Sequence, residues 1–215
     1  NIPIRTEDGR EIRRCFIPRA GTTLMAADYS QIELRLLAHL CGSAPMQEAF
    51  AQGADIHRRT ASEVFGVPED AVTRDQRSMA KTVNFGILYG MSAWRLAREQ
   101  GISRSEAKGI ITRYFARYPA IERWKEETLE RARDEGIVKT LMGRIRRVDD
   151  LHHRNRQVRA FTERIAINTP IQGSAADIIK AAMLAIEGAL GQHETRGGGE
   201  QAARVGKFGQ AELEV

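Results

Sequence analysis

The chain has 215 residues, 42% hydrophobic and 28% charged, with a formal net charge of +5; this balance excludes disordered and collagen-like classes and describes a soluble globular protein. No apolar run approaches the roughly 18 residues of a membrane span. The two cysteines, Cys15 and Cys41, give neither a disulfide framework nor metal-ligand spacing, so a reducing cytoplasm is the expected setting. The basic excess permits a polyanionic partner without requiring one.

The opening residues, NIPIR, read as the interior of something longer. Residues 2–18, with Arg5 near their start, alternate around Asp8-Gly9, a β-hairpin signal. Residues 21–30 (GTTLMAADYS) read as a buried strand that ends at Asp28. Residues 30–40 read as a helix with Ile32, Leu36, Leu37 and Leu40 on its apolar side. Asp28 is then either that helix's N-cap or a hard oxygen ligand for Mg²⁺. Glu33 falls off the apolar side, where it could serve as an i,i+4 partner for a cation. Residues 41–53 form a connection with a short helix, broken by Gly42 and Pro45. A helix over 55–65 starts at an Asp55 cap and closes at Gly66. His57 and Arg58 lie in its first turn, where free amides favour an anion; otherwise His57 is a surface histidine without a role.

The stretch over 73–90, TRDQRSMAKTVNFGILYG, opens with a capping box, Thr73 and Gln76. Arg77, Lys81 and Phe85 follow at four-residue steps on one helical face, with Tyr89 the next step, about 120° round from Arg77. The spacing also suits an amphipathic helix with solvated cations and core rings. Read chemically, a planar guanidinium and an ammonium suit phosphate oxygens, and two rings can stack on a base or sugar.

Two more helices, over 91–100 and 103–118, lead to a third that opens at Pro119 and ends at Gly136. Residues 138–148 (VKTLMGRIRRV) read as a basic hairpin turning near Gly143, its charges either solvated or against nucleic-acid backbone. A helix over 154–168 carries Arg164 and Asn168 one turn apart and is broken by Pro170. A second begins at Gln172 and reaches about residue 190. Residues 188–203 are polar and Gly-rich and read as a mobile connection.

The run R-x-x-x-K-x-x-x-F-G-x-x-Y-G at 77–90 resembles the nucleotide-binding helix, motif B, of the family A DNA polymerases. DYSQIELR at 28–35 resembles that family's motif A, and the ERxxxN-x-P-x-QG-x-AAD pattern in residues 163–177 resembles its segment lining the primer–template junction. The resemblance implies an α+β fold: a polymerase palm, with antiparallel sheet and helices, carrying an inserted, mostly helical fingers lobe. Residues 1–39 and 162–190 would be palm and 40–161 fingers, with the thumb and any exonuclease domain upstream of Asn1. It also implies a two-metal nucleotidyl transfer with two Mg²⁺ ions, a primer 3′-hydroxyl attacking the α-phosphate of a dNTP. Asp28 and the Tyr29 carbonyl would hold metal, Arg77 and Lys81 would stabilise phosphate charge, and His57 would meet the triphosphate. Phe85 and Tyr89 would line the nucleotide site, and Glu33 would block a ribose 2′-hydroxyl. Arg164, Asn168 and Gln172 would bond bases or sugars in the minor groove; they could equally be structural residues around a helix break. Arg5, in the family's NIPIR segment, would face either DNA or solvent. The implied partners are primer–template DNA and dNTP, for a monomer in a bacterial-type cytoplasm associated with the nucleoid.

That scheme needs a second shared carboxylate from motif C, a His-Asp-Glu turn, and no HDE occurs in the chain. The best frame sets Gln210, Ala211 and Glu212 against it, so the tail over 191–215 is either a truncated or shifted reading or a site without its second metal carboxylate. Three readings follow: a family A polymerase fragment, inactive in isolation for want of that aspartate; a non-catalytic module binding dNTP and nucleic acid; and a relative of the phage-type single-subunit RNA polymerases. Glu33 argues against the third, which needs room for a 2′-hydroxyl.

Overall fold

The computed structural model describes residues 6–24 and 27–196, with side chains to residue 189. The chain divides into two compact units, Asn1–Ile32 and Glu33–Val215. The first unit contains α1 (Glu7–Arg14), followed by irregular backbone over 15–24 and 27–31 that ends at Gln31, with φ of 58°. The hairpin expected around Asp8-Gly9 is therefore a helix. Thr6 caps it by accepting from the Gly9 amide at 3.2 Å. Glu7 and Asp8 lie in its first turn and Arg13 and Arg14 in its last, the charge order that the helix dipole favours. The buried strand expected over 21–30 does not form among the described residues: 21–24 and 27–30 are exposed and belong to no sheet. A strand needs a neighbour for its backbone groups, and among the described residues the one sheet is made elsewhere.

The second unit is nearly all helix: α2 (Ile32–Leu40, starting one residue before the boundary), α3 (Ala44–Ala51), α4 (Ile56–Phe65), α5 (Arg74–Leu88), α6 (Ala93–Gln100), α7 (Arg104–Arg117) and α8 (Pro119–Glu135). The antiparallel hairpin β1 (Ile137–Lys139) and β2 (Ile145–Arg147) follows, then α9 (Arg156–Asn168) and α10 (Ser174–Arg196). Helices with one small antiparallel sheet bear out the α+β class. The caps explain most boundaries: Asp55 for α4, the reciprocal Thr73–Gln76 box for α5, Ser92, Ser103 and Asn155 for later helices, and left-handed Gly66, Gly101 and Gly136 as stops.

The core lies where α4 packs on α5 and α7. Ala61, Val64, Ala80, Val83, Ile87 and Ile110 meet there, with the fully buried rings of Tyr114 and Tyr118 5.1 Å apart. A second cluster, Ala132, Val138, Val148, Leu151 and Ala166, pins the hairpin between α8 and α9. Val138 is the buried residue of β1; Lys139, Ile145, Arg146 and Arg147 are exposed.

Pro170 does not break the chain into two separate helices. Thr169–Gly173 forms a π turn that carries α9 into α10. The wider turn takes a residue without an N–H, and the Ser174 hydroxyl donates to the Pro170 carbonyl. The same turn receives the hairpin. A Cβ on Gly173 would lie 2.5 Å from Thr140 Cγ2, so this approach requires glycine. Thr140 Oγ1 donates to the buried Asp177 at 2.8 Å, Arg144 pairs with the same carboxylate, and the Leu141 amide donates to Ser174 Oγ at 2.9 Å. At its far end α10 continues helical through Arg196, so residues 188–196 are not the loose connection expected; each of Gly188 and Gly191 costs the helix only about 1 kcal/mol against alanine. Among the described residues no helix is long and apolar enough to cross a membrane. The motif C frame over 203–215, and Arg5, lie outside the described residues.

Candidate active site

The site is built along α5, from its N-terminus to the turn after its last residue. Arg77, half-buried one turn into the helix, donates from Nε to Asp55 Oδ2 at 2.6 Å. Asp55 Oδ1 meanwhile accepts from the His57 and Arg58 amides at 3.0 and 3.2 Å, so one carboxylate caps α4 and ties it to α5. Burial alone would raise the Asp55 pKa, but the Arg77 hydrogen bond and the amides outweigh it and hold the carboxyl below its ordinary value. With Nε engaged, the terminal guanidinium nitrogens of Arg77 can still fork onto phosphate. Lys81 is exposed one turn on.

His57 is not a surface histidine: 3% of it is exposed, and its ring packs against Phe85 with centroids 5.8 Å apart. Burial, with Arg77 and Lys81 nearby, pushes its pKa below the ordinary value against the pull of Asp55. His57 on α4 thus shares one neighbourhood with Arg77, Lys81 and Phe85 of α5. Asn84, fully buried behind Phe85, donates from Nδ2 to His57 Nδ1 at 3.1 Å and lies 3.2 Å from Thr60 Oγ1, which is 3.4 Å from the Tyr118 hydroxyl. The sequence reading missed this polar chain. The signal was an asparagine set between Val83 and Ile87, on the face that carries the core.

At the other end, the Tyr89 hydroxyl donates to Glu33 Oε2 at 2.5 Å. Glu33 therefore has a tyrosine partner in place of the cation considered for it. Burial and the Glu33 carboxylate raise the Tyr89 pKa, while a hydrogen bond from Gln172 pulls the other way, so the three side chains meet. Gly90 follows with φ of +69°, and a Cβ there would lie 3.2 Å from Arg164 Cγ. The α5 terminus and the α9–α10 segment therefore converge, joining Glu33, Tyr89, Arg164 and Gln172. Arg164 and Gln172 are exposed, and Asn168 Oδ1 is sealed without a hydrogen-bond partner among the described residues.

Asp28 and Tyr29 belong to the first unit and are both exposed. Asp28 is not an N-cap, since α2 starts four residues later. Nor is it at a strand end. As a metal centre the described residues do not suffice: no three His, Cys, Asp or Glu side chains among them gather to hold an ion, and Asp28 with the Tyr29 carbonyl falls short of the oxygen set that Mg²⁺ takes.

The sequence profile of DNA polymerase family A matches residues 1–201. DNA polymerase I of Deinococcus radiodurans is 57% identical over 187 residues, covering 87% of this chain and 20% of the relative. The thermostable DNA polymerase I of Thermus aquaticus is 53% identical over 184 residues, covering 86% and 22%. This chain thus spans about a fifth of the length of the curated relatives it matches. Among solved structures, the POL domain of Pol1 from M. smegmatis, in complex with DNA primer-template and dNTP, superposes with a TM-score of 0.82 at 44% identity, covering 90% of this chain and 34% of that one. The chain belongs to DNA polymerase family A.

Proposed function

We propose that this chain is the nucleotide-selecting part of a template-directed DNA polymerase, residues 40–161 acting as fingers and residues 1–39 and 162–190 as palm. The observation that carries the reading is the α5 face. Arg77, Lys81 and His57 gather toward one end, Phe85 lies between, and at the other end Tyr89 holds Glu33; that order suits a triphosphate, a base and a sugar in turn. The likeness to a polymerase domain solved with primer-template and dNTP supports the same ligands here. In the reaction class proposed, a primer 3′-hydroxyl attacks the dNTP α-phosphate and pyrophosphate leaves. Arg77 and Lys81 offset the charge growing on the phosphates, a role worth several kcal/mol when donors are held in advance. Glu33, fixed by Tyr89, stands where a 2′-hydroxyl would intrude, and Arg164, Asn168 and Gln172 face the template–primer junction. Family A polymerases are generally Mg²⁺-dependent, and Asp28 is the carboxylate proposed for that ion. A monomer in a bacterial cytoplasm is the setting proposed.

A second reading has a specific observation behind it. Ala211 stands where the tail's best frame calls for an aspartate, which favours a module that binds dNTP and DNA without transferring a nucleotide. Primer extension in Mg²⁺ or Mn²⁺, run beside dNTP binding, separates the two. The 215 residues are expected to bind dNTP, to lose that binding in Arg77→Ala and Lys81→Ala, and not to extend a primer unless an HDE-bearing tail is supplied. Robust extension by the unaltered chain would overturn the inactivity, and dNTP binding indifferent to both substitutions would overturn the site.

A further inference from the structure

Asn84 touches no exposed surface, yet it reaches the one imidazole on the phosphate-binding end of α5. We infer that Asn84 is a positioning residue that holds His57 in the Nε2–H tautomer, so that the ring presents an N–H donor to a nucleotide phosphate. The inference rests on the nucleotide-binding reading of this site.

An amide nitrogen can only donate, so Asn84 Nδ2 at 3.1 Å requires a lone pair on His57 Nδ1 and leaves the proton of the neutral ring on Nε2. The orientation of the amide is the point at issue, because a flipped Asn84 would accept from Nδ1–H and reverse the tautomer. Thr60 Oγ1 alone does not choose, lying 3.2 Å from Nδ2 and 3.3 Å from Oδ1. The next groups in the chain do. Tyr118 meets both Thr60 and the Glu63 carboxylate, which Arg117 holds at 2.5 Å. An ionised carboxylate only accepts, so Tyr118 donates to Glu63, Thr60 donates to Tyr118, and the Thr60 oxygen is left to accept from Asn84 Nδ2. The two Nδ2 hydrogens then go to Thr60 and His57. Nε2, on the other side of the ring, is not among the sealed polar atoms without a partner, and Arg77 and Lys81 bring their charge to the same neighbourhood.

The test begins with the unaltered chain, its histidines labelled with ¹⁵N and His57 assigned by the signal that His57→Gln removes. Long-range ¹H–¹⁵N correlations above neutral pH read the tautomer directly. The expected pattern is Nε2–H in the unaltered chain and Nδ1–H in Asn84→Asp, whose carboxylate must accept. Binding is then measured by calorimetric titration with dATP in Mg²⁺ buffer. Asn84→Asp should weaken dATP about tenfold more than the same change does in a His57→Ala background, which reads the new charge's own repulsion. Asn84→Ala adds no charge and is the second variant: it should weaken dATP, and that loss should vanish when His57 is alanine. An Nδ1–H ring in the unaltered chain, or a tautomer unmoved by Asn84→Asp, overturns the inference whatever the chain binds. If His57→Ala weakens dATP but the Asn84 losses are equal in both backgrounds, Asn84 is merely structural and the nucleotide site stands. If His57→Ala costs nothing, His57 leaves the phosphate site and the inference falls with it.

Discussion

Glu33 is held by a single phenol, and that contact makes the sugar-selection reading measurable. A hydrogen bond to a charged group contributes about 1.5–3 kcal/mol, so Tyr89→Phe leaves Glu33 able to swing away from its place at 2.5 Å. In a version supplied with an HDE tail, both Glu33→Ala and Tyr89→Phe are expected to raise ribonucleotide over deoxyribonucleotide incorporation, with Glu33→Ala the larger. An unchanged ratio in Glu33→Ala would remove Glu33 from the sugar site. His57 gives a second residue-scale expectation. Burial, with Arg77 and Lys81 beside it, lowers its folded-state pKa below the unfolded value. Between the two pKa values the unfolded chain binds more protons, so stability is full above the unfolded pKa and is lost as pH falls toward the folded one. The melting temperature should therefore decline as pH is taken from 7 toward 5. His57→Gln should flatten that decline; an identical slope in the variant would show that His57 does not titrate in this window.

At the scale of elements, the π turn and the hairpin are one construction, joined by Gly173, Thr140, Asp177 and Arg144. Gly173→Ala drives a methyl to within 2.5 Å of Thr140 Cγ2 and should cost about 1–3 kcal/mol, as overpacking does. Thr140→Ser removes that methyl while keeping the hydroxyl that bonds Asp177, so the double variant should recover most of the loss in a denaturant titration. No recovery would mean that the strain lies in the turn itself. These elements also mark the limits of what could be read in advance. Caps are local, and Thr73, Ser103 and Gly136 announced their helices because a few adjacent residues suffice. Thr6 carried the same information, but the Asp8-Gly9 pair imitates a hairpin turn, and the charge order along α1 was the deciding signal. A proline is an unambiguous breaker only in an α turn, so the π geometry at Pro170 could not be foreseen from its neighbours. The four-residue row on α5 was legible. Asp55 under Arg77 and Asn84 behind His57 were not, because those contacts join residues 22 and 27 positions apart.

For the molecule as a whole, the formal charge of +5 is less informative than where the free cations stand. Arg144 is committed to the buried Asp177, and withdrawing it would leave that carboxylate unpaired in the interior. It is therefore a structural cation, although it sits in the basic hairpin. Arg164 is different: it is exposed, and its stem lies over Gly90 just past the end of α5. Binding of primer–template by this chain should weaken with salt, the logarithm of affinity falling by about 0.9 per decade of salt for each phosphate neutralised. Arg164→Ala is expected to lower that slope by about one contact without changing the melting temperature appreciably. Arg144→Ala should do the reverse, lowering the melting temperature while leaving the slope as it was. Fluorescence anisotropy over a salt series and thermal unfolding of the same two variants decide the matter. If Arg144→Ala flattens the salt dependence and Arg164→Ala does not, the nucleic acid lies along the hairpin and the convergence of α5 with the α9–α10 segment is not the DNA-facing side.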